Sequence, residues 1–369
     1  MRVLITGANG FIAKNLIIRL EENSSFEIST FTRSDDNQRL ISLVKDADII
    51  FHLAGENRPK SIEDFKTNNV QLTQSLCDAV KLTGRKIPII FTSSTQSELD
   101  NPYGVSKKTS EEILRKLSQS FSNPVSIFRL PGVFGKWCRP NYNSVVATFC
   151  NNIAHGMPAA VNDSERVMTL VYVDDVVDSL LNVVDFQSPE VQFMAVSPEY
   201  KISLEELAKQ IQLFKDSRTT LITENVGSGL IRCLYSTYLS YLSPAQFAYE
   251  LPTYADSRGI FVEMLKTADS GQFSFFTALP GVTRGGHYHH TKTEKFLVAQ
   301  GEAVFKFRHL VTNEMIEIHS SGSNPKIVES IPGWAHDITN IGVDNLIVLL
   351  WANEVFDHHL PDTISSPIN

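Results

Sequence analysis

The stretch Arg2-Val3-Leu4-Ile5-Thr6-Gly7-Ala8-Asn9-Gly10-Phe11-Ile12-Ala13 decides the fold. A short apolar run of strand type enters a turn with small residues at its first, fourth and seventh positions, Gly7, Gly10 and Ala13. Helical spacing follows over Phe11–Glu22. In such a unit the first glycine permits a tight turn and the second lets the backbone approach a pyrophosphate. The third small residue lets helix and strand pack closely. The helix N-terminus then offers free N–H groups and a positive dipole end to phosphates. Asn9, Phe11 and Ile12 complete the candidate dinucleotide contact.

Outward from this turn, Phe26–Phe31, Ile49–Leu53, Ile87–Thr92 and Val125–Leu130 read as buried strands. Ser61–Leu82 and Tyr103–Gln119 carry helical spacing, and Ser61 with Asp64 predicts a start resembling a capping box. This alternation predicts βαβ units and a Rossmann-type parallel α/β sheet, continuing more loosely to about residue 215. After about residue 245 the texture changes. Phe261–Thr267, Gln272–Ala278, Lys295–Val298, Val304–His309, Met315–Ile318 and Leu346–Trp351 are short β-type segments. Turn signals such as Asp269-Ser270-Gly271, Pro280-Gly281 and Pro332-Gly333 separate them, which predicts an all-β barrel or sandwich. Pro244 and Pro252 place the boundary within Ser243–Ser257, giving domains 1–245 and 246–369.

The composition agrees. In 369 residues, 42% hydrophobic and 20% charged side chains suit a globular chain with more than one core and exclude disorder or a fibrous repeat. A net charge of −8 without a long basic run argues against a nucleic-acid partner. No apolar stretch is long enough to predict a membrane span, and the opening residues do not read as a signal peptide. Cys77, Cys138, Cys150 and Cys233 lie far apart, which reads as reduced thiols and a cytoplasmic location.

About 20 residues past the turn, a NAD site places an acid on the ribose hydroxyls. Here the second strand ends Phe31-Thr32-Arg33, with Asp35 and Asp36 behind it. Arg33 suits a 2′-phosphate and so predicts NADP(H); an ordinary surface arginine is the alternative. Tyr103-Gly104-Val105-Ser106-Lys107 then follows the hydroxyl cluster Thr92-Ser93-Ser94-Thr95. Residues i and i+4 share a helix face, so Lys107 is expected beside the Tyr103 phenol, lowering its pKa. Such a tyrosine protonates an alkoxide as hydride arrives.

With these motifs, the chain resembles the extended short-chain dehydrogenase/reductase family over about residues 1–240. His52-Leu53-Ala54-Gly55, Arg129-Leu130-Pro131-Gly132-Val133-Phe134-Gly135 and Tyr172-Val173-Asp174-Asp175-Val176 add to the likeness. The resemblance implies Ser94, Tyr103 and Lys107 as catalytic residues, with Ser93 the alternative hydroxyl, and a nucleotide-linked sugar as substrate. It implies cofactor contacts at Gly7, Asn9, Gly10, Phe11, Ile12, Arg33, Leu53, Ala54, Tyr103 and Lys107. In one departure, only nine positions separate Ser94 from Tyr103, so Gln96–Pro102 has to be a short connection. In another, the arginine that meets the diphosphate is out of register; Arg166 is the nearest candidate.

Eight of the ten histidines, His287, His289, His290, His309, His319, His336, His358 and His359, lie in the last third. The run from Gly281 to His289 reads G(x)5HxH, and Glu294 follows five residues later. Gly333-Trp334-Ala335-His336 with Asn340 gives GxxHxxxN. On a strand, His287 and His289 point to one face, and Glu294 and His336 can join from neighbouring strands. Three imidazoles and a carboxylate suit a divalent metal, with zinc foremost; His290 is a rival ligand. A proton-transfer site without metal and a structural remnant are the other readings. Together these spacings resemble the cupin family over about residues 250–369.

The two motif sets in this order resemble a bacterial family of bifunctional capsular polysaccharide enzymes. That resemblance implies C3 epimerisation of a UDP-linked 4-keto-6-deoxy-2-acetamido sugar by the cupin. Reduction of the C4 ketone to UDP-2-acetamido-2,6-dideoxy-L-talose, a precursor of N-acetyl-L-fucosamine, would follow. The alternative keeps only the reductase active, with the cupin as a dimerisation or sensor module. A homodimer is expected because cupins often pair through their sheets.

Overall fold

In the computed structural model, residues 1–185, 188–251, 253–256, 259–262, 265, 271–354 and 359–368 are described. The N-terminal elements are β1 (Arg2–Thr6), α1 (Phe11–Glu21), β2 (Glu27–Phe31), α2 (Asn37–Asp46) and β3 (Ile49–His52). There follow α3 (Glu63–Phe65), a π-helical turn over Lys66–Gln71, α4 (Leu72–Thr83), β4 (Ile89–Ser94) and a 3-10 turn over Thr95–Glu98. The series continues with α5 (Pro102–Phe121), β5 (Val125–Leu130), β6 (Gly132–Phe134), α6 (Val145–Ala154), β7 (Val167–Tyr172), α7 (Val173–Leu181) and β8 (Val191–Met194).

Six strands pair in parallel in the order β2-β1-β3-β4-β5-β8. Both faces are covered, which is why the central strands β1, β3, β4 and β5 are buried nearly end to end and do not alternate. Leu4, Ile50, Ile89 and Ile127 pack with Leu40, Leu76 and Leu114 of α2, α4 and α5. Val3, Ile5, Phe51 and Phe128 pack with Leu16 and Leu20 of α1 and Val176 and Leu180 of α7. The chain leaves β1 first to one side, for β2, and then returns to the other, for β3. Ligands of open α/β sheets bind outside the carboxyl ends of the strands at such a reversal.

Two local readings need correction. Helix α2 escapes the apolar count because only Leu40, Leu43 and Val44 of it are buried. Its start is set by Asp36, whose side chain accepts from Arg39 N at 2.8 Å. The expected capping box at Ser61 is half made: Asp64 Oδ2 accepts from Ser61 N, while Asp64 N turns to the Ser61 carbonyl.

The remaining elements are β9 (Tyr200–Ser203), α8 (Leu204–Thr220), α9 (Gly229–Leu239), β10 (Ala248–Glu250), β11 (Thr253–Asp256), β12 (Gly259–Val262) and β13 (Gln272–Ala278). Then come β14 (Thr283–Tyr288), β15 (Glu294–Gln300), β16 (Glu302–His309), β17 (Met315–Ser321), β18 (Lys326–Glu329), β19 (Trp334–Asn340), β20 (Leu346–Ala352) and β21 (Ile364–Ser365). Two five-stranded sheets, β10-β18-β15-β20-β13 and β17-β16-β19-β14-β21, make the cupin-type part. Their described pairings are antiparallel. The expected strand Phe261–Thr267 is described only through Val262 and at residue 265. Pro252, Ser257, Asp269, Ser270 and His358 lie outside the described residues.

The chain divides into two compact units, 1–144 with 168–201, and 145–167 with 202–369. Helices α8 and α9 therefore group with the barrel strands, ahead of residue 246. Within this second unit, Lys295 pairs with Glu329 across β15 and β18, both buried, and Arg218 of α8 lies 3.4 Å from the same carboxylate.

Candidate functional site

In the first unit, the glycine turn closes against the strand that follows the reversal. Gly7 has φ +72, and a Cβ there would lie 2.6 Å from the Ala54 Cα. Only glycine fits, and this fit draws the Thr6–Gly10 turn against Leu53 and Ala54. Gly10 is the N-cap of α1 and lends no side-chain cap. The first N–H groups of α1 are thus left without a capping side chain, as a phosphate site requires. Beneath the turn, His52 Nδ1 meets Thr6 Oγ1 at 2.7 Å and its Nε2 meets Thr73 Oγ1 at 2.9 Å. Thr73 donates its hydrogen to the Asn69 carbonyl, so Nε2 of His52 carries the proton and Nδ1 accepts from Thr6. Burial, with Lys107 adding to it, pushes His52 down to about 3.

Asp35 and Asp36 are spent locally. Asp35 accepts from Thr32 N and Oγ1 at 2.7 and 2.9 Å, and Asp36 caps α2. The Arg33 side chain is 74% exposed and pairs with buried Glu56. Tyr142 donates to the other oxygen of that carboxylate at 2.5 Å. Burial works to raise Glu56, but the bonds from Tyr142 and Arg33 outweigh it and hold the carboxyl below its usual range. Sequence reading missed Glu56; its one signal is its place directly after Gly55.

The two candidate serines have different partners. Ser93 donates to Glu111 at 2.5 Å, and Arg129 grips Glu111 with two nitrogens. Ser94 Oγ accepts from Gln96 N at 3.2 Å, and its hydroxyl lies near enough to the Tyr103 phenol to pull that group's pKa down. The short connection works because the 3-10 turn after β4 lies directly on the start of α5. A Cβ on Gly104 would come 2.1 Å from the Gln96 carbonyl oxygen, so no larger residue fits there. Asn101 caps α5 by accepting from Gly104 N at 2.8 Å, and Pro102 opens the helix.

Lys107 is fully buried and donates to the Thr92 carbonyl at 2.9 Å. Burial lowers it to about 8, with Glu111 opposing. The expected depression of Tyr103 is not what the structure shows. Burial holds the phenol above its ordinary value, and the Ser94 hydroxyl offsets this only in part. Arg166 is exposed, and its carbonyl accepts from Leu204 N.

In the second unit, His287, His289, Glu294 and His336 offer ligand atoms within 4.8 Å of one another. Three strands build this cluster. His287 stands opposite His336 in the β14–β19 register, at a bulge after Gly285, and Glu294 opens β15. Glu294 Oε2 lies 3.1 Å from His289 Nε2 and 3.3 Å from His336 Nε2. His289 Nδ1 faces the Asp362 carbonyl at 2.5 Å. A carbonyl only accepts, so Nδ1 carries a proton and Nε2 is the nitrogen that faces Glu294. A cation, proton or metal, belongs between that nitrogen and the carboxylate. This donor set fits a divalent metal.

Burial, with the neighbouring imidazoles adding to it, pushes His287 down to about 3. Burial works to raise Glu294, but His289 and His336 outweigh it and hold the carboxyl well below its usual range. His290 is not in the cluster; its ring stands edge-on to Tyr288. Asn340 ties a turn, donating to the Ala278 and Asp344 carbonyls.

Comparison with known proteins bears on both units. Residues 3–193 match the model of the NAD dependent epimerase/dehydratase family, and residues 254–364 that of the polysaccharide biosynthesis C-terminal domain. The chain is 55% identical over its full length to a UDP-2-acetamido-2,6-beta-L-arabino-hexul-4-ose reductase of Pseudomonas aeruginosa, covering 99% of it. It is similar to the crystal structure of the capsular polysaccharide assembling protein CapF from Staphylococcus aureus. There the TM-score is 0.68 and the identity 39%, with all of both chains covered. A UDP-glucuronic acid 4-epimerase from Bacillus cereus solved with NAD shares the fold alone, at TM-score 0.52 and 20% identity, over 58% of this chain and 83% of its own.

Proposed function

Since the chain belongs to the NAD dependent epimerase/dehydratase family, we propose that it is a bifunctional sugar-nucleotide enzyme working in two steps. The cupin part epimerises C3 of a UDP-linked 4-keto-6-deoxy-2-acetamidohexose. The Rossmann-type part then reduces the C4 ketone with NADPH to UDP-2-acetamido-2,6-dideoxy-L-talose, a precursor of N-acetyl-L-fucosamine in capsular polysaccharide. The observation that carries this reading is the presence, in one chain, of Ser94 near the Tyr103 phenol, a buried Lys107 one turn along the same helix, and a His3Glu cluster.

A bound nicotinamide supplies the hydride for C4. Tyr103 gives its phenolic proton to the oxygen that becomes the alcohol, and Ser94 orients that oxygen by hydrogen bonding. Lys107, still largely cationic at neutral pH, steadies the negative charge left on Tyr103. Arg33 holds the 2′-phosphate, a role supported by its exposed guanidinium and by the local engagement of Asp35 and Asp36. His287, His289, Glu294 and His336 would hold a divalent metal, with zinc foremost because no redox change is needed, and that metal would supply Lewis-acid polarisation of the 4-ketone, which already makes the neighbouring C3 hydrogen acidic.

We place the enzyme in the cytoplasm, in keeping with a chain that has few cysteines, set far apart in sequence. We also propose a homodimer, supported by Phe273 and Phe275, exposed on β13, which is an outer strand among the described residues.

Incubation with the 4-keto sugar nucleotide in deuterated water, without NADPH, tests the two-step reading. Deuterium at C3 is the expected result. Its absence, with reduction of an already epimerised ketone intact, would leave the cupin as a dimerisation or sensor module.

A further inference from the structure

The C-terminal segment lies along the strand that carries the first metal-ligand candidates. Strand β21 pairs with β14, setting Ser365 opposite His287 and Ile364 opposite Tyr288. Ser366 N donates to the Gly286 carbonyl at 2.7 Å, and Arg308 donates to Ser366 Oγ at 2.8 Å. Just before β21, Asp362 makes the densest set of bonds in this region. Its carboxylate accepts from the main-chain N–H groups of His290, Thr291 and Lys292 at 2.9, 2.9 and 2.8 Å, and from Thr291 Oγ1 at 3.2 Å. Its carbonyl takes the proton of His289 Nδ1. Next to it, Thr363 Oγ1 accepts from Lys292 Nζ at 3.1 Å.

We propose that Asp362 is the positioning residue of the metal centre: its carboxylate clamps the 290–292 turn and its carbonyl fixes which nitrogen of His289 faces Glu294. Three consecutive N–H groups on one carboxylate are charge-assisted bonds, and they lock the turn that joins His289 to Glu294. With that turn locked, the Asp362 carbonyl stays in line with Nδ1, and only Nε2 is left to bind metal. Outer partners of this kind set the tautomer and ring orientation of metal-bound histidines. Asp362 is a long way from the cluster in sequence, and no motif announces it.

This inference rests on the metal reading above, and its test separates the two. The full-length protein is stripped of metal and titrated with zinc against a chromogenic chelator, and with cobalt(II) for its visible spectrum. For Asp362→Ala we expect zinc affinity to fall about 10–100-fold, the usual worth of an outer partner, with altered cobalt bands. Asp362→Glu, which keeps a carboxylate, should recover part of both. A purely structural role would lower the melting temperature while leaving affinity and cobalt spectrum unchanged, and that result overturns the proposal. If Asp362→Ala does not fold, Asp362→Asn, of the same shape but with one acceptor oxygen left, carries the same expectation at about tenfold. Failure of the unaltered protein to bind zinc or cobalt overturns the metal reading itself, and this inference with it.

Discussion

Lys107 and Glu294 are both buried ionisable side chains at a proposed reaction centre, and their surroundings treat charge in opposite ways. At Lys107 burial wins: the ammonium bonds a main-chain carbonyl, Glu111 opposes only weakly, and the group falls to about 8. At Glu294 burial loses, because two imidazoles within hydrogen-bond reach hold the carboxyl well below its usual range. Burial alone therefore does not fix the charge of a buried group; the partners its fold supplies do. The first unit keeps a weakly solvated cation one turn along the helix from a buried phenol, which suits proton transfer. The second holds a carboxylate below its usual range beside two ring nitrogens, which suits a resident cation.

The sharpest way to break this contrast is at Tyr103. If the first site works by proton transfer, Tyr103→Phe should keep NADPH binding and cut reduction on the order of 10²–10⁴-fold, the usual worth of general acid catalysis. Steady-state reduction of the epimerised ketone, with cofactor binding followed by fluorescence, checks this. Near-normal turnover would remove Tyr103 from its role and with it the reason for burying Lys107.

A smaller effect is expected when the second site loses a ligand. His336→Ala should lower zinc affinity by more than about 100-fold, beyond the range for an outer partner such as Asp362. Elemental analysis after dialysis against a weak chelator reads this out. The ring contributes directly to the cluster, so metal content and deuterium exchange at C3 should fall together. Full occupancy in the variant would take His336 off the ligand set and leave His287, His289 and Glu294 as the holders.

How much of this was legible in the sequence follows from the range of the contacts. Gly7, Gly10 and Ala13 act within one turn, and Tyr103 and Lys107 within one helix, so their spacing alone signals their juxtaposition. His287 and His289 share a strand end in the same way. That Ser93 is engaged by Glu111, itself held by Arg129, was not legible, because those partners lie on other elements. Glu56 and Asp362 were invisible for the same reason. The pKa of Tyr103 was misjudged because helix spacing places Lys107 nearby but does not say where its hydrogen bond goes; it goes to Thr92. Helix α2 was missed because a half-solvated helix carries few apolar residues.

His52 tests the burial side of the contrast. Its folded-state value of about 3 lies below the unfolded value of about 6.5. The stability it supports is fully present above about pH 6.5 and is lost progressively as pH falls toward 3, because only the unfolded chain takes up the proton. From pH 7 to pH 5 this amounts to about 2 kcal/mol. Hydrogen exchange of the β1 and β3 amides should show that loss in the unaltered protein. In His52→Gln, which offers Thr6 an acceptor and Thr73 a donor without titrating, the extra loss should vanish. Equal pH dependence in both proteins would mean that the Thr6 and Thr73 hydroxyls accommodate an imidazolium, and burial would not be the deciding influence at this site.

The smallest effect is expected at Arg33, where charge is least buried. Its side chain is 74% exposed, so water and salt screen it, and only a contact made on binding separates NADPH from NADH. Arg33→Ala should weaken NADPH by about tenfold, the equivalent of roughly one charge-assisted bond to phosphate, and leave NADH nearly unchanged. Glu56 sharpens the expectation, because it pairs with Arg33 while Tyr142 keeps its other oxygen occupied. Removing Arg33 leaves that carboxylate facing the place where a 2′-phosphate would sit, so repulsion adds to the lost attraction for NADPH alone. Titrations of both dinucleotides at low and high salt measure the difference, which should shrink as salt rises. Equal losses for the two cofactors would make Arg33 a surface arginine paired with Glu56, and the site indifferent to the 2′-phosphate.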